Sequence, residues 1–173
     1  MDEFFEILKI ILPALIVFLT AFYLIKKFFD RESQKRLEEI RMGNRKTILP
    51  IRLQAYERIV LYLERIAPNS IVMRIYEPGM SAKLLQAALV KAIRDEFEHN
   101  MSQQIYVSEA AWIMTKQAKE ETIKLINISA GKVKPDATGI DLSQVIFELA
   151  AQLDKLPSEI ASSYLKKEIQ KHF

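Results

Sequence analysis

The chain has 173 residues, half of them apolar, no cysteine and a formal net charge of +3. Without cysteine there is no disulfide, no thiolate nucleophile and no Cys-based zinc or iron–sulfur site. The basic excess is local. Residues 26–52 carry nine Lys/Arg against four Asp/Glu, whereas 53–173 carry 15 of each, so the larger part lacks the phosphate-neutralising surface that nucleic-acid binding needs.

Residues 7–25 form an apolar run with one charge, Lys9, closed abruptly by Lys26 and Lys27. As a helix the run reaches roughly 28 Å at about 1.5 Å per residue, close to the ~30 Å hydrocarbon thickness of a bilayer. A cleaved secretory signal opens with basic residues and closes on a small-x-small site. Here Asp2, Glu3 and Glu6 precede the run, and Tyr23, Leu24, Ile25, Lys26 and Lys27 end it. A core helix of a soluble protein keeps a polar face, which residues 10–25 lack apart from Thr20. The expectation is a transmembrane anchor over 1–27.

The flanks orient it. One Lys and three acids lie on the N-terminal side and the basic excess on the other, so the positive-inside rule places the N-terminus outside and the larger part in the cytoplasm. Lys26, Lys27, Arg31, Lys35 and Arg36 are the candidate contacts to anionic lipid headgroups. Phe4, Phe5, Tyr23, Phe28 and Phe29 stand where aromatic rings favour the interface. Lys9 is placed to snorkel outward, and Pro13 predicts a mild kink.

Residues 28–42 read as a charged helix, with Glu32/Arg36 and Lys35/Glu39 at neighbour spacing. Gly43 and Asn44 predict its stop, making 28–46 a basic juxtamembrane stalk and 47–173 a bundle of about five helices. Pro50 predicts a helix start. Leu53, Tyr56, Val60, Leu63 and Ala67 repeat at three and four, widened by Ile59 and Ile66, up to a stop at Pro68 and Asn69. Ile71–Tyr76 reads as a packed connector, closed by a turn at Glu77, Pro78 and Gly79.

Ser81 caps a predicted helix over 82–100, whose buried face is Leu85, Ala88, Leu89, Ala92, Ile93 and Phe97. After a turn at 100–106, Ser108 opens a long helix to about Ser129, terminated by Gly131. Asp141 with Gln144 resembles a capping box. Leu142, Val145, Ile146, Leu149, Leu153 and Leu156 make the cleanest amphipathic stripe, and Pro157 starts a last helix carrying Ile160, Ala161, Tyr164, Leu165 and Ile169. The fold class is all-α.

Glu96-Phe97-Glu98-His99 matches Glu-x-x-His, the pair that helical di-iron proteins use because i and i+3 project together. A complete centre needs two such pairs, and the only other histidine, His172, has Ile169 three residues before it. The cluster is expected to be a solvated helix end, with metal binding as the competing reading. No Gly-x-Ser-x-Gly turn accompanies His99, and Gly131-Lys132 has Ile126 where a P-loop needs Gly. Neither catalysis nor a cofactor is expected. The helix from Ser108 has two apolar stripes, one through Val107, Ala111, Met114, Ala118 and Leu125, the other through Trp112, Ile123 and Ile126 beside Lys119. Two such faces place it at the centre of its bundle, or else Trp112, Lys119, Ile123 and Ile126 form a partner surface, since Trp is enriched at interface hot spots.

The order of features, with Leu53-Gln54-Ala55-Tyr56-Glu57-Arg58-Ile59, Glu96-Phe97-Glu98-His99-Asn100, Gln103-Gln104-Ile105-Tyr106-Val107-Ser108, Trp112 and Ala118-Lys119-Glu120, resembles a family of small single-span proteins of Bacteroidota, a domain of unknown function. The resemblance covers most of the chain. It implies a Gram-negative inner membrane and no assigned activity, and it brings no functional residues. The expected function is a membrane-tethered cytoplasmic adaptor, scaffold or accessory subunit. Its partners would be the bilayer and an unidentified protein, with self-association through the bundle or the span.

Overall fold

The computed structural model describes residues 2–172, with the side chains of 2–14, Ser33, Leu37, Glu38, Ile40, Arg41, Asn44, Arg45 and His172 outside the description. It is all-helical: α1 (Asp2–Ile66), α2 (Pro68–Ile75), α3 (Ala82–His99), a 3-10 turn (Met101–Ile105), α4 (Glu109–Lys132), α5 (Gly139–Ala151) and α6 (Pro157–His172). The chain divides into two units, 1–49 and 50–173.

In the first unit the described side chains from Leu15 to Leu49 are almost all exposed. Thr20, the one polar residue inside 10–25, turns its hydroxyl back onto the carbonyls of Ile16 and Val17, both at 2.9 Å, so no polar hydrogen is left unpaired. The expected stop at Gly43 and Asn44 is absent, because the helix continues through both. Glycine costs an interior helix about 1 kcal/mol relative to Ala without forbidding it, and Thr47 Oγ1 donates to the Gly43 carbonyl at 3.2 Å. Among the described residues no helix is long and apolar enough to cross a membrane, and residues 7–14 of the apolar run lie outside the described side chains.

The second unit holds the core. Ala55, Tyr56, Ile59, Tyr62, Leu63 and Ile66 of α1 are buried, a stripe centred on Ile59 and Ile66, with Leu53 left 38 % exposed. Pro50, expected at a helix start, lies inside α1. Ala67 takes an extended conformation (φ −54°, ψ 137°), as the residue before a proline prefers. Pro68 then starts α2, whose Ile71 and Val72 are buried. The connector expected at 71–76 is therefore mostly helix, because the proline that stops one helix is also suited to the first turn of the next.

Gly79 has φ +90°, a left-handed turn conformation that glycine adopts without a Cβ clash, and the Met80 amide closes the turn on the Glu77 carbonyl at 3.2 Å. The chain then pairs with the segment before α5. Gly139 N donates to Met80 O at 2.7 Å and Ala82 N to Ala137 O at 2.9 Å. A Cβ on Gly139 would come within 3.1 Å of the Met80 carbonyl and the Tyr76 ring, so the close approach requires glycine there.

Ser81 and Ser108 cap α3 and α4, accepting from Leu84 N at 3.2 Å and Ala111 N at 3.0 Å. The capping box of α5 is Thr138 with Asp141, not Asp141 with Gln144. Asp141 is the third helical residue because Gly139 and Ile140 are already in the helix. Its carboxylate accepts from the Thr138 hydroxyl and amide, which holds its pKa below the ordinary Asp value.

α4 packs on α3, α5 and α6, most extensively on α6. Ala111, Thr115, Ala118, Thr122 and Ser129 form a buried seam of small side chains along α4, and Ser158, Ala161 and Ser162 are buried on α6. The α4 hydroxyls of Thr115, Thr122 and Ser129 return to carbonyls one turn back at 2.8, 2.8 and 2.9 Å. This satisfies them inside the core. Gly131 lies in the last turn of α4, which ends at Lys132 before an extended Val133.

Candidate functional site

Trp112, Ile123 and Ile126 belong to the core, at 9, 7 and 0 % exposure. The Trp112 ring stacks on Phe97 of α3 with centroids 5.2 Å apart, and Phe97 meets the Tyr62 ring of α1 at 5.9 Å. Lys119 Nζ lies 4.3 Å from the Phe97 centroid and 2.9 Å from the Glu120 carboxylate. The partner-surface reading of Trp112, Lys119, Ile123 and Ile126 is thereby corrected. The stripe through Trp112, Ile123 and Ile126 is covered by α4's own neighbours, and a cation over an aromatic face contributes to cohesion within the fold. The Tyr62 hydroxyl, fully buried beside this cluster, has no hydrogen-bond partner. Burial first, then the fields of Glu96 and Glu120, push its pKa far up, so the phenol stays neutral.

The Glu96–His99 segment does not assemble a metal site. Glu96 pairs with Arg65 of α1 at 3.2 Å, its carbonyl accepts from Asn100 Nδ2 at 2.8 Å, and Glu98 and His99 are exposed at the end of α3. Among the described residues no three His, Cys, Asp or Glu side chains come together as ligands.

Lys26, Lys27, Arg31, Lys35 and Arg36 are all exposed. Lys27 Nζ lies 5.6 Å from the Tyr23 ring centroid, Phe28 and Phe29 meet edge to face at 6.1 Å, and Arg36 pairs with Glu32 at 3.5 Å. Apolar rings, aromatic–cation contacts and exposed ammonium groups follow one another within four turns of α1. Such an array suits the boundary between hydrocarbon and anionic headgroups.

Two features of the second unit carry no signal in the linear sequence. One is a polar node joining three helices. Glu168 of α6 accepts from the Tyr56 hydroxyl at 2.8 Å and from Ser108 Oγ at 2.9 Å, while Ser108 N donates to Tyr56 Oη at 3.3 Å. The partners are 112 and 60 residues apart, so only the folded chain reveals the constellation. The other is an apolar groove beside α4, made of two adjoining cavities of about 420 and 390 Å³. Both are lined by Glu121, Leu153 and Pro157. Leu125, Ile128 and Leu149 line one, and Met114, Ala118 and Ile160 the other. Leu153, predicted within the stripe of α5, is exposed and lines both.

A family model described as a family of unknown function, DUF7935, matches residues 2–172. No curated protein and no solved structure matches the chain.

Proposed function

The chain belongs to the DUF7935 family, and on that premise we propose a non-catalytic, membrane-tethered adaptor or accessory subunit. Residues 7–25 anchor it in the inner membrane of a Gram-negative bacterium, and residues 50–173 offer a helical surface in the cytoplasm. The observation that carries the reading is the apolar run and its abrupt basic end. Leu15, Ile16, Val17, Phe18 and Leu19 are each more than half exposed, and leaving so much contiguous apolar side chain in water is unfavourable by about 25 cal/mol per Å². A bilayer removes that cost, and Lys26 and Lys27 stop the chain at its cytoplasmic face.

The second unit supports the adaptor half of the proposal. Its core is closed by apolar packing, and its groove is apolar with a polar rim, the chemistry of protein recognition. Tethering would raise the local concentration of a weakly binding partner without any new contact.

Protease added to intact spheroplasts tests the orientation, and mild-detergent copurification tests the adaptor. The reading expects the second unit to be protected until the membrane is opened, and a different protein to be retained with the full-length chain. Digestion on intact spheroplasts would overturn the orientation. A protein recovered alone from its own membranes would overturn the adaptor.

A further inference from the structure

The groove beside α4 has a charge pattern that selects one occupant. Met114, Ala118, Glu121, Lys124, Leu125 and Ile128 fall on a single face of α4, about 21 Å long at 1.5 Å per residue. Ile128 is 47 % exposed at one end, Ile160 of α6 is 46 % exposed at the other, and Leu153 is 44 % exposed between them. Glu121 and Lys124 lie at the middle, and neither makes an ion pair among the described residues.

We propose that this face binds a second copy of the chain, with the two α4 helices antiparallel about a two-fold axis beside residues 122 and 123. An isologous interface must be complementary to itself, and this face is. The two-fold brings Glu121 of each copy opposite Lys124 of the other, so the two charges pair reciprocally. It sets Ile128 opposite Gln117, over the cavity lined by Met114, Ala118 and Ile160. It also sets Gly131 opposite Met114, where even a Cβ would meet nothing within 4 Å, leaving room for the methionine. Exposed apolar side chains enter apolar recesses, and opposite charges meet at the centre. The pairing needs no membrane anchor, so its failure and the failure of the tethering proposal are separate results.

The test uses the full-length protein in mild detergent, followed by sedimentation over a concentration series. Wild type, Glu121→Lys, Lys124→Glu and the double variant Glu121→Lys/Lys124→Glu are compared. Each single reversal turns two attractive pairs into two repulsive ones and is expected to weaken the dimer by about tenfold, and the double reversal restores it. A wild type that stays monomeric, single reversals without effect, or a double reversal as weak as the singles would each overturn the proposal. A second arm avoids charge altogether, since the native chain has no cysteine. Mild oxidation of Gln117→Cys/Ile128→Cys is expected to give a covalent dimer, while Gln117→Cys alone forms no cross-link, because the two-fold separates position 117 from itself by about 16 Å along the axis. Failure of the double-cysteine chain to cross-link would equally overturn it.

Discussion

Phe97 and Trp112 lie face to face, their ring centroids 5.2 Å apart and their planes inclined by 25°, with the Lys119 ammonium over Phe97. This contact locks α3 to α4 and gives the chain's only tryptophan a structural role. Trp112→Ala is expected to cost about 3–5 kcal/mol, read as a fall in the urea midpoint by circular dichroism. Trp112→Phe should cost distinctly less. Wild-type tryptophan emission should be blue-shifted and poorly quenched by acrylamide. A Trp112→Ala variant of unchanged stability would show that the stack is not part of the core.

The Tyr56–Ser108–Glu168 node ties the C-terminal helix to α1 and to the cap of α4. Glu168→Ala leaves two donors without their acceptor, and hydrogen bonds to a charged group are worth about 1.5–3 kcal/mol. That loss should appear in urea unfolding, with α6 opening first in hydrogen exchange. The Tyr56 pKa is raised, first by burial and then by the bond to Glu168. The stability linked to a raised phenol pKa is complete below the unfolded value and lost as pH rises through the folded one. Wild type should therefore lose stability above about pH 10 more steeply than Tyr56→Phe. Parallel profiles would remove Tyr56 from the alkaline transition.

The capping box of α5 gives an acid-side prediction. Hydrogen bonds from the Thr138 side chain and backbone lower the Asp141 pKa, so its contribution is present above the unfolded value and fades as pH falls through the lower folded one. Asp141→Asn should flatten stability against pH below about 4, and Thr138→Ala should cost about 1 kcal/mol at neutral pH. The readout is the urea midpoint across pH 2–7. An unchanged acid limb in Asp141→Asn would refute the assignment.

The basic segment predicts lipid selectivity. Replacing Lys26, Lys27, Arg31, Lys35 and Arg36 by Gln removes up to about 1 kcal/mol of attraction per residue to an anionic surface. In reconstituted vesicles the wild type should show enrichment of anionic lipid around it, reduced by salt, and the variant should not. The variant should also insert in mixed orientation, scored by protease digestion of sealed vesicles.

How much was legible in the sequence depends on whether the signal was periodic or positional. The α3 stripe of Leu85, Leu89, Ile93 and Phe97 and the two serine caps follow from apolar spacing and hydroxyl placement, and the structure has them. Both faces of α4 were legible too, but periodicity alone does not distinguish a face covered by the chain itself from one reserved for a partner. Trp112 was decided by Phe97, fifteen positions away in the chain. Pro68 and Gly43 misled because each residue type tolerates two local outcomes. Proline both stops and starts helices, and glycine both ends and continues them. The Thr138–Asp141 box was displaced by three residues because Gly139 reads as a breaker while serving as the first helical residue. The groove was beyond reach, since its walls come from α4, α5 and α6 and exist only once the three are packed.

Alkaline carbonate extraction of native membranes tests the central claim most directly. Full-length wild type should remain in the membrane pellet, and a variant with Leu15→Arg, Phe18→Arg and Phe22→Arg, each costing about 2.5–3.5 kcal/mol at the centre of a span, should move to the supernatant. Wild type released by the wash in the same proportion as that variant would contradict the account.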